Sequence, residues 1–65
     1  MQLEITRHAR EKMVIYGISK EQVKRAIQRG VKFEQTDGFL VKYSYIRVAY
    51  KKRGDFYKIK TVYVD

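Results

Sequence analysis

The sequence predicts an α+β domain in which two N-terminal helices pack on one face of a three- to four-stranded antiparallel sheet. Three observations carry that expectation. Apolar residues in the first half recur every three or four positions behind cap residues. The second half is dense in Tyr, Val, Ile and Phe with period-two alternation. Two glycine-containing turn signals, Thr36-Asp37-Gly38 and Lys52-Arg53-Gly54-Asp55, punctuate it.

The first helix is expected over about residues 6–16. Thr6 is its cap, and Ile5, Ala9, Met13 and Tyr16 form one apolar stripe. Gly17 supplies a left-handed stop. The second helix, over about 19–29, is better marked. Ser19 and Gln22 have capping-box spacing, and Ile18 and Val23 occupy the staple positions. Val23, Ala26 and Ile27 make its inward face, Lys20, Lys24, Arg25 and Arg29 its outward one, and Gly30 ends it. Strands follow over about 31–36, 39–51 and 56–64, and Leu3 to Ile5 is a candidate edge strand. The run 39–51 changes phase. Phe39, Val41, Tyr43 and Tyr45 share one parity and Ile46, Val48 and Tyr50 the other, so a bulge or sharp bend is expected near Ser44–Ile46.

A chain of 65 residues holds one domain at most, near the lower size limit for folding without staples. With no cysteine, neither a disulfide nor a Cys-based zinc site is available. No apolar run is long enough to span a bilayer, and the N-terminus lacks the apolar core of a signal peptide, so a cytoplasmic protein is expected. So small a core is compatible with a monomer or a homodimer.

Charge is the strongest global feature. Fifteen Lys and Arg against seven Asp and Glu give a net +8. Residues 1–30 carry seven bases and three acids, and residues 31–65 carry eight and four. The excess belongs to the folded body and not to a tail, which points to a polyanionic partner, above all RNA.

His8 is the one side chain that titrates near neutrality without help. It lies in the first turn of the first helix among Arg7, Arg10 and Lys12. A general acid or base for RNA cleavage needs such a group beside cations that stabilise a charged phosphorane. The competing reading is a histidine that ties the helix to the sheet by a hydrogen bond. No metal site and no cofactor are expected, because one histidine without cysteine cannot build a usual zinc site. Three of the six tyrosines adjoin bases, Tyr43 beside Lys42, Tyr50 beside Lys51 and Tyr57 beside Lys58, as in surfaces that stack bases while cations hold phosphates. Arg47 sits inside an otherwise apolar strand run, a costly place for a charge unless it binds something.

The stretch Thr6-Arg7-His8-Ala9-Arg10-Glu11-Lys12-Met13, followed by Tyr16-Gly17-Ile18-Ser19, resembles the start of a small bacterial and archaeal family of domains of unknown function. The ending Lys60-Thr61-Val62-Tyr63 resembles that family's closing strand. The resemblance implies the α+β fold shared by RelE/ParE-like toxins and colicin-type RNase domains. Such proteins cut RNA without metal, often on the ribosome, or poison a nucleic-acid enzyme, and an antitoxin restrains them. Carried onto this chain, it points to His8, with Arg10 or Lys12, and to Thr61 and Tyr63 from the last strand; His8, Tyr63 and Arg10 are the expected catalytic residues. Lys12 stands where many relatives have Arg. Lys12, Arg47, Tyr43, Thr61, Lys24, Arg25 and Arg29 are the expected nucleic-acid contacts, and an acidic antitoxin protein is an expected partner. A non-catalytic nucleic-acid-binding module, or a protein-interaction half of such a pair, are the alternatives.

Overall fold

A computed structural model describes all residues, Met1–Asp65. The elements are β1 (Gln2–Ile5), α1 (Arg7–Tyr16), α2 (Lys20–Arg29), β2 (Val31–Gln35), β3 (Gly38–Tyr43), β4 (Ile46–Arg53) and β5 (Phe56–Val64). The five strands form one sheet in the order β1-β5-β4-β3-β2.

The architecture is α+β, but the sheet is neither three- to four-stranded nor wholly antiparallel. β2 to β5 form an antiparallel meander, and β1 adds in parallel to the far edge of β5, pairing Leu3 with Tyr57 and Ile5 with Ile59. A parallel neighbour needs a long crossover. Here everything between β1 and β5 serves as that crossover, so nothing local in the sequence announces the pairing.

The run 39–51 is two strands, not one bent strand. Ser44 and Tyr45 form a two-residue hairpin loop closed by the pair Tyr43 and Ile46. Closing residues three apart face the same side, which is why the apolar parity switches between Tyr43 and Ile46. The loop escapes a sequence reading because it has no glycine or asparagine. Ser44 itself adopts φ +56°, the only non-glycine residue with positive φ. The remaining irregularity is a register shift between Ala49 and Tyr50 against Thr61 and Ile59, which leaves Lys60 as the bulged residue.

Both helices are capped as their sequences imply. Ser19 and Gln22 make a reciprocal capping box, with Ser19 Oγ accepting from Gln22 N–H at 3.1 Å and Gln22 Oε1 accepting from Ser19 N–H at 2.8 Å. Gly17 takes φ +66° after α1. Gly30 ends α2 differently, in extended conformation. A side chain there would collide with Ala26 O and Val41 Cγ2, both 2.6 Å from a Cβ position, so glycine is required by close approach of α2 to β3.

One face of the sheet is covered. α1 packs on β5 and α2 on β3 and β4. Ala9, Val23, Ala26 and Ile27 from the helices meet Val41, Val48, Ile59 and Val62 from the strands in a single buried cluster. Tyr50 lies in the same cluster, 1% exposed, stacked near Phe39 with ring centroids 5.6 Å apart. No helix is long and apolar enough to cross a membrane.

Candidate functional site

The uncovered face follows from the strand register, because paired residues project to the same side and neighbours along a strand to opposite sides. Val41, Val48 and Val62 face the helices. The residues between them therefore face away. Lys42 pairs with Arg47 and Arg47 with Tyr63; Leu40 pairs with Ala49 and Ala49 with Thr61. Further along, Lys51 pairs with Lys58 and Lys58 with Glu4, while Arg53 pairs with Phe56. The open face is thus a cationic surface carrying Phe33, Phe56 and Tyr63, all partly exposed. Lys42 lies over the Phe33 ring at 5.0 Å from its centroid.

Like charges stand opposite each other twice on this face, at Lys42–Arg47 and at Lys51–Lys58. Such pairs destabilise a sheet. Lys51 is offset by Asp37, at 3.2 Å, and Asp37 also holds Lys60. The Lys51 ammonium, through its hydrogen bond and charge, and Lys60 after it, hold the Asp37 carboxyl below its ordinary value. Lys42, Arg53 and Lys58 form no ion pair.

His8 sits at the rim of this face. Its Nε2 is hydrogen-bonded to Thr61 Oγ1 at 2.9 Å. Thr6 makes that meeting possible. The Thr6 hydroxyl accepts from Ala9 N–H at 3.1 Å as the α1 cap and donates to Ile59 O at 2.8 Å. The Thr6 backbone N–H also reaches Ile59 O, at 3.3 Å. The start of α1 is therefore pinned to β5 two residues before Thr61, and His8, two residues after Thr6, falls beside it. Lys12, one turn beyond His8, shares its side of α1 and is half-buried.

Arg47 is the most constrained cation. Its side chain is 15% exposed. Nη1 donates to Ser44 O at 2.9 Å and to Ile46 O at 3.1 Å, which braces the strained hairpin loop. Its Nε is buried without a hydrogen-bond partner, and the nearest acid, Asp65 Oδ2, is 4.0 Å away. An unsatisfied buried N–H of a charged group typically costs about 1–3 kcal/mol.

His8 and Thr61 therefore meet at this rim, Tyr63 lies two residues further along β5 on the same side and pairs with Arg47, and the Arg47 guanidinium reaches toward Ser44 and Asp65. The other sequence-expected residues lie elsewhere. Arg10, two residues from His8, projects from the opposite side of α1 and borders a shallow groove with Met13 and Ile18. Tyr43 faces the helices and packs against the core. Lys24, Arg25 and Arg29 lie on α2, on the covered side of the sheet. Glu4, Lys51, Arg53, Phe56 and Lys58, which sequence reasoning passed over, share the open face. The alternation of Phe56 and Lys58 against Tyr57 and Ile59 is a usable signal, but the Lys60 bulge breaks the phase before it reaches Thr61.

No group of acids and histidines is arranged to hold a metal ion. The His8–Thr61 pair offers a proton-transfer group and a hydroxyl beside it, with the Tyr63 phenol further along β5, groups suited to acid–base chemistry at a phosphate. No curated protein matches the chain significantly, and neither does any solved structure. The domain of unknown function DUF4258 matches residues 5–64, nearly the whole chain, and the protein belongs to that family.

Proposed function

We propose that this protein is a metal-independent endoribonuclease that binds RNA on its open sheet face and cleaves it at the His8 corner. The observation that carries the reading is the 2.9 Å hydrogen bond that sets the His8 imidazole beside Thr61 at the edge of a cationic face. In this reading His8 takes the proton from a ribose 2′-hydroxyl, whose oxygen then attacks the adjacent phosphorus. The P–O5′ bond breaks, leaving a 2′,3′-cyclic phosphate and a 5′-hydroxyl, and the leaving oxygen takes a proton from Tyr63 or solvent. Arg47 and Lys12 neutralise the phosphorane, and Thr61 holds the ring. RNA on the ribosome is a natural substrate for such an enzyme, and a small acidic protein covering the same cations would be its antitoxin.

The test is incubation of the purified protein with single-stranded RNA in excess EDTA. Cyclic phosphate ends from the wild type, and their loss in His8→Ala with unchanged circular dichroism, support the reading. An equally active His8→Ala protein removes it.

One observation favours a second reading, a non-catalytic RNA-binding module. The same His8–Thr61 bond also ties α1 to β5. In that case neither wild type nor His8→Ala cleaves RNA, and the two bind it with equal affinity.

A further inference from the structure

The far end of the open face holds a concavity that the cleavage corner does not use. It encloses about 540 Å³ and is lined by Glu4, Lys51, Arg53, Phe56 and Lys58. Only one of its five lining residues is hydrophobic, so it does not suit an apolar ligand. Three of the five are cations, and Arg53 and Lys58 have no ion-pair partner. Lys51 and Lys58 stand opposite each other across β4 and β5. Phe56 is 45% exposed on the open side of β5, opposite Arg53. An exposed aromatic ring beside two unpaired cations, Arg53 and Lys58, suits a base stacked on the ring and a phosphate held at its edge.

Arg47 opposite Tyr63 and Lys51 at the concavity are four residues apart on the same side of β4, about 13 Å for extended backbone. One surface therefore carries cations at two positions separated by more than a single nucleotide. An A-form duplex presents its bases stacked and paired, out of reach of Phe56. A single strand can lay an unstacked base on it.

We propose that Phe56, Lys51, Arg53 and Lys58 form a second nucleotide subsite, which binds a base and phosphate of single-stranded RNA away from the cleavage corner. This rests on the RNA-binding half of the function proposed above. It makes the substrate an unpaired strand long enough to bridge both ends of the face, and it assigns Phe56 a recognition role that folding does not require.

The test measures binding of a 2′-O-methyl RNA decamer, which cannot be cleaved, by fluorescence anisotropy at low salt. Phe56→Ala is expected to weaken the decamer about tenfold, and Phe56→Tyr to restore it. Lys58→Ala is expected to weaken it severalfold and to lower the slope of log affinity against log salt by about one. Lys20→Ala, an equal loss of charge on α2, is expected to leave affinity unchanged. Wild-type affinity in both Phe56→Ala and Lys58→Ala overturns the subsite, as does equal loss in Lys20→Ala or equal affinity for a duplex of the same length. The two proposals fail separately. If the wild type cleaves RNA through His8 but Phe56→Ala binds normally, the subsite is wrong and the enzyme stands. If nothing is cleaved but decamer binding depends on Phe56 and Lys58, the enzyme is wrong and the subsite stands.

Discussion

His8 Nε2 and Thr61 Oγ1 lie 2.9 Å apart although 53 residues separate them in the chain. Each is placed by its own element, His8 by the capped start of α1 and Thr61 by the last strand. Like the Thr6–Ile59 bond, the His8–Thr61 bond ties the first helix to the last strand. It also fixes which ring nitrogen is engaged, leaving Nδ1 for a second partner.

If the corner is catalytic, His8→Ala is expected to lower the RNA cleavage rate by about 10²–10⁴-fold. Because His8 is exposed, the melting temperature should change little. Thr61→Val, which keeps the shape and removes the hydroxyl, is expected to lower kcat more than it raises KM, and Thr61→Ser to restore it. A Thr61→Val protein with wild-type kcat would show that Thr61 does not orient the ring.

Thr6 has two tasks, as cap and as anchor to Ile59. Loss of an N-cap costs about 1 kcal/mol, and the anchoring bond adds a similar amount. Thr6→Val is expected to destabilise the fold by about 2 kcal/mol in urea unfolding, and Thr6→Ser to recover most of it. Stability equal to wild type in Thr6→Val would mean that the hydroxyl anchors nothing.

Arg47 combines two hydrogen bonds to the hairpin with a buried Nε that has none. The stabilising and destabilising contributions are similar in size, each about 1–3 kcal/mol. Arg47→Met should therefore leave stability within about 1 kcal/mol of wild type, since it fills the space without a buried charge. RNA affinity should fall about tenfold if Arg47 holds phosphate. Strong destabilisation with unchanged RNA affinity would make Arg47 a structural brace alone.

The Asp37 carboxyl is held below its ordinary value by Lys51 and then Lys60. The folded state thus takes up this proton less readily than the unfolded chain. The contribution is complete above the ordinary carboxyl value of 3.8 and is lost as pH falls through the lower folded value. Asp37→Asn should melt below wild type at neutral pH, and the gap should close in acid. Tyr50 behaves oppositely. Burial, and then the charge of Tyr57, push its phenol up, so its contribution is present below the ordinary value of 10.0 and is lost as pH rises through the folded one. Tyr50→Phe should flatten that alkaline loss. Parallel melting curves across pH for either pair would contradict the assignment.

Much of the helical half was legible because helix signals are local. Ser19 and Gln22 are three residues apart, and Gly17 adjoins the helix it ends. The Ser44–Tyr45 loop was not legible, because Ser44 adopts a glycine-like conformation without being glycine, held there by Arg47. The phase change was visible and its cause was not. Among the expected site residues, His8 meets Thr61, and Tyr63 and Arg47 pair further along the same side of the sheet. Arg10 is turned away from His8 by roughly 200° around α1, the angle that two helical residues subtend.

What the sequence by itself determined is the class of fold, two capped helices beside a tyrosine-rich sheet, and a positive charge spread over both halves of the chain. Those properties depend on neighbours within a few residues or on simple counting. The tertiary structure decided the rest: that β1 joins β5 in parallel, that one sheet face stays open, and that cations from three strands share it with Phe56 and Tyr63. Which side of a sheet a residue occupies depends on register between strands far apart in the chain, and one bulged residue, Lys60, is enough to reverse it.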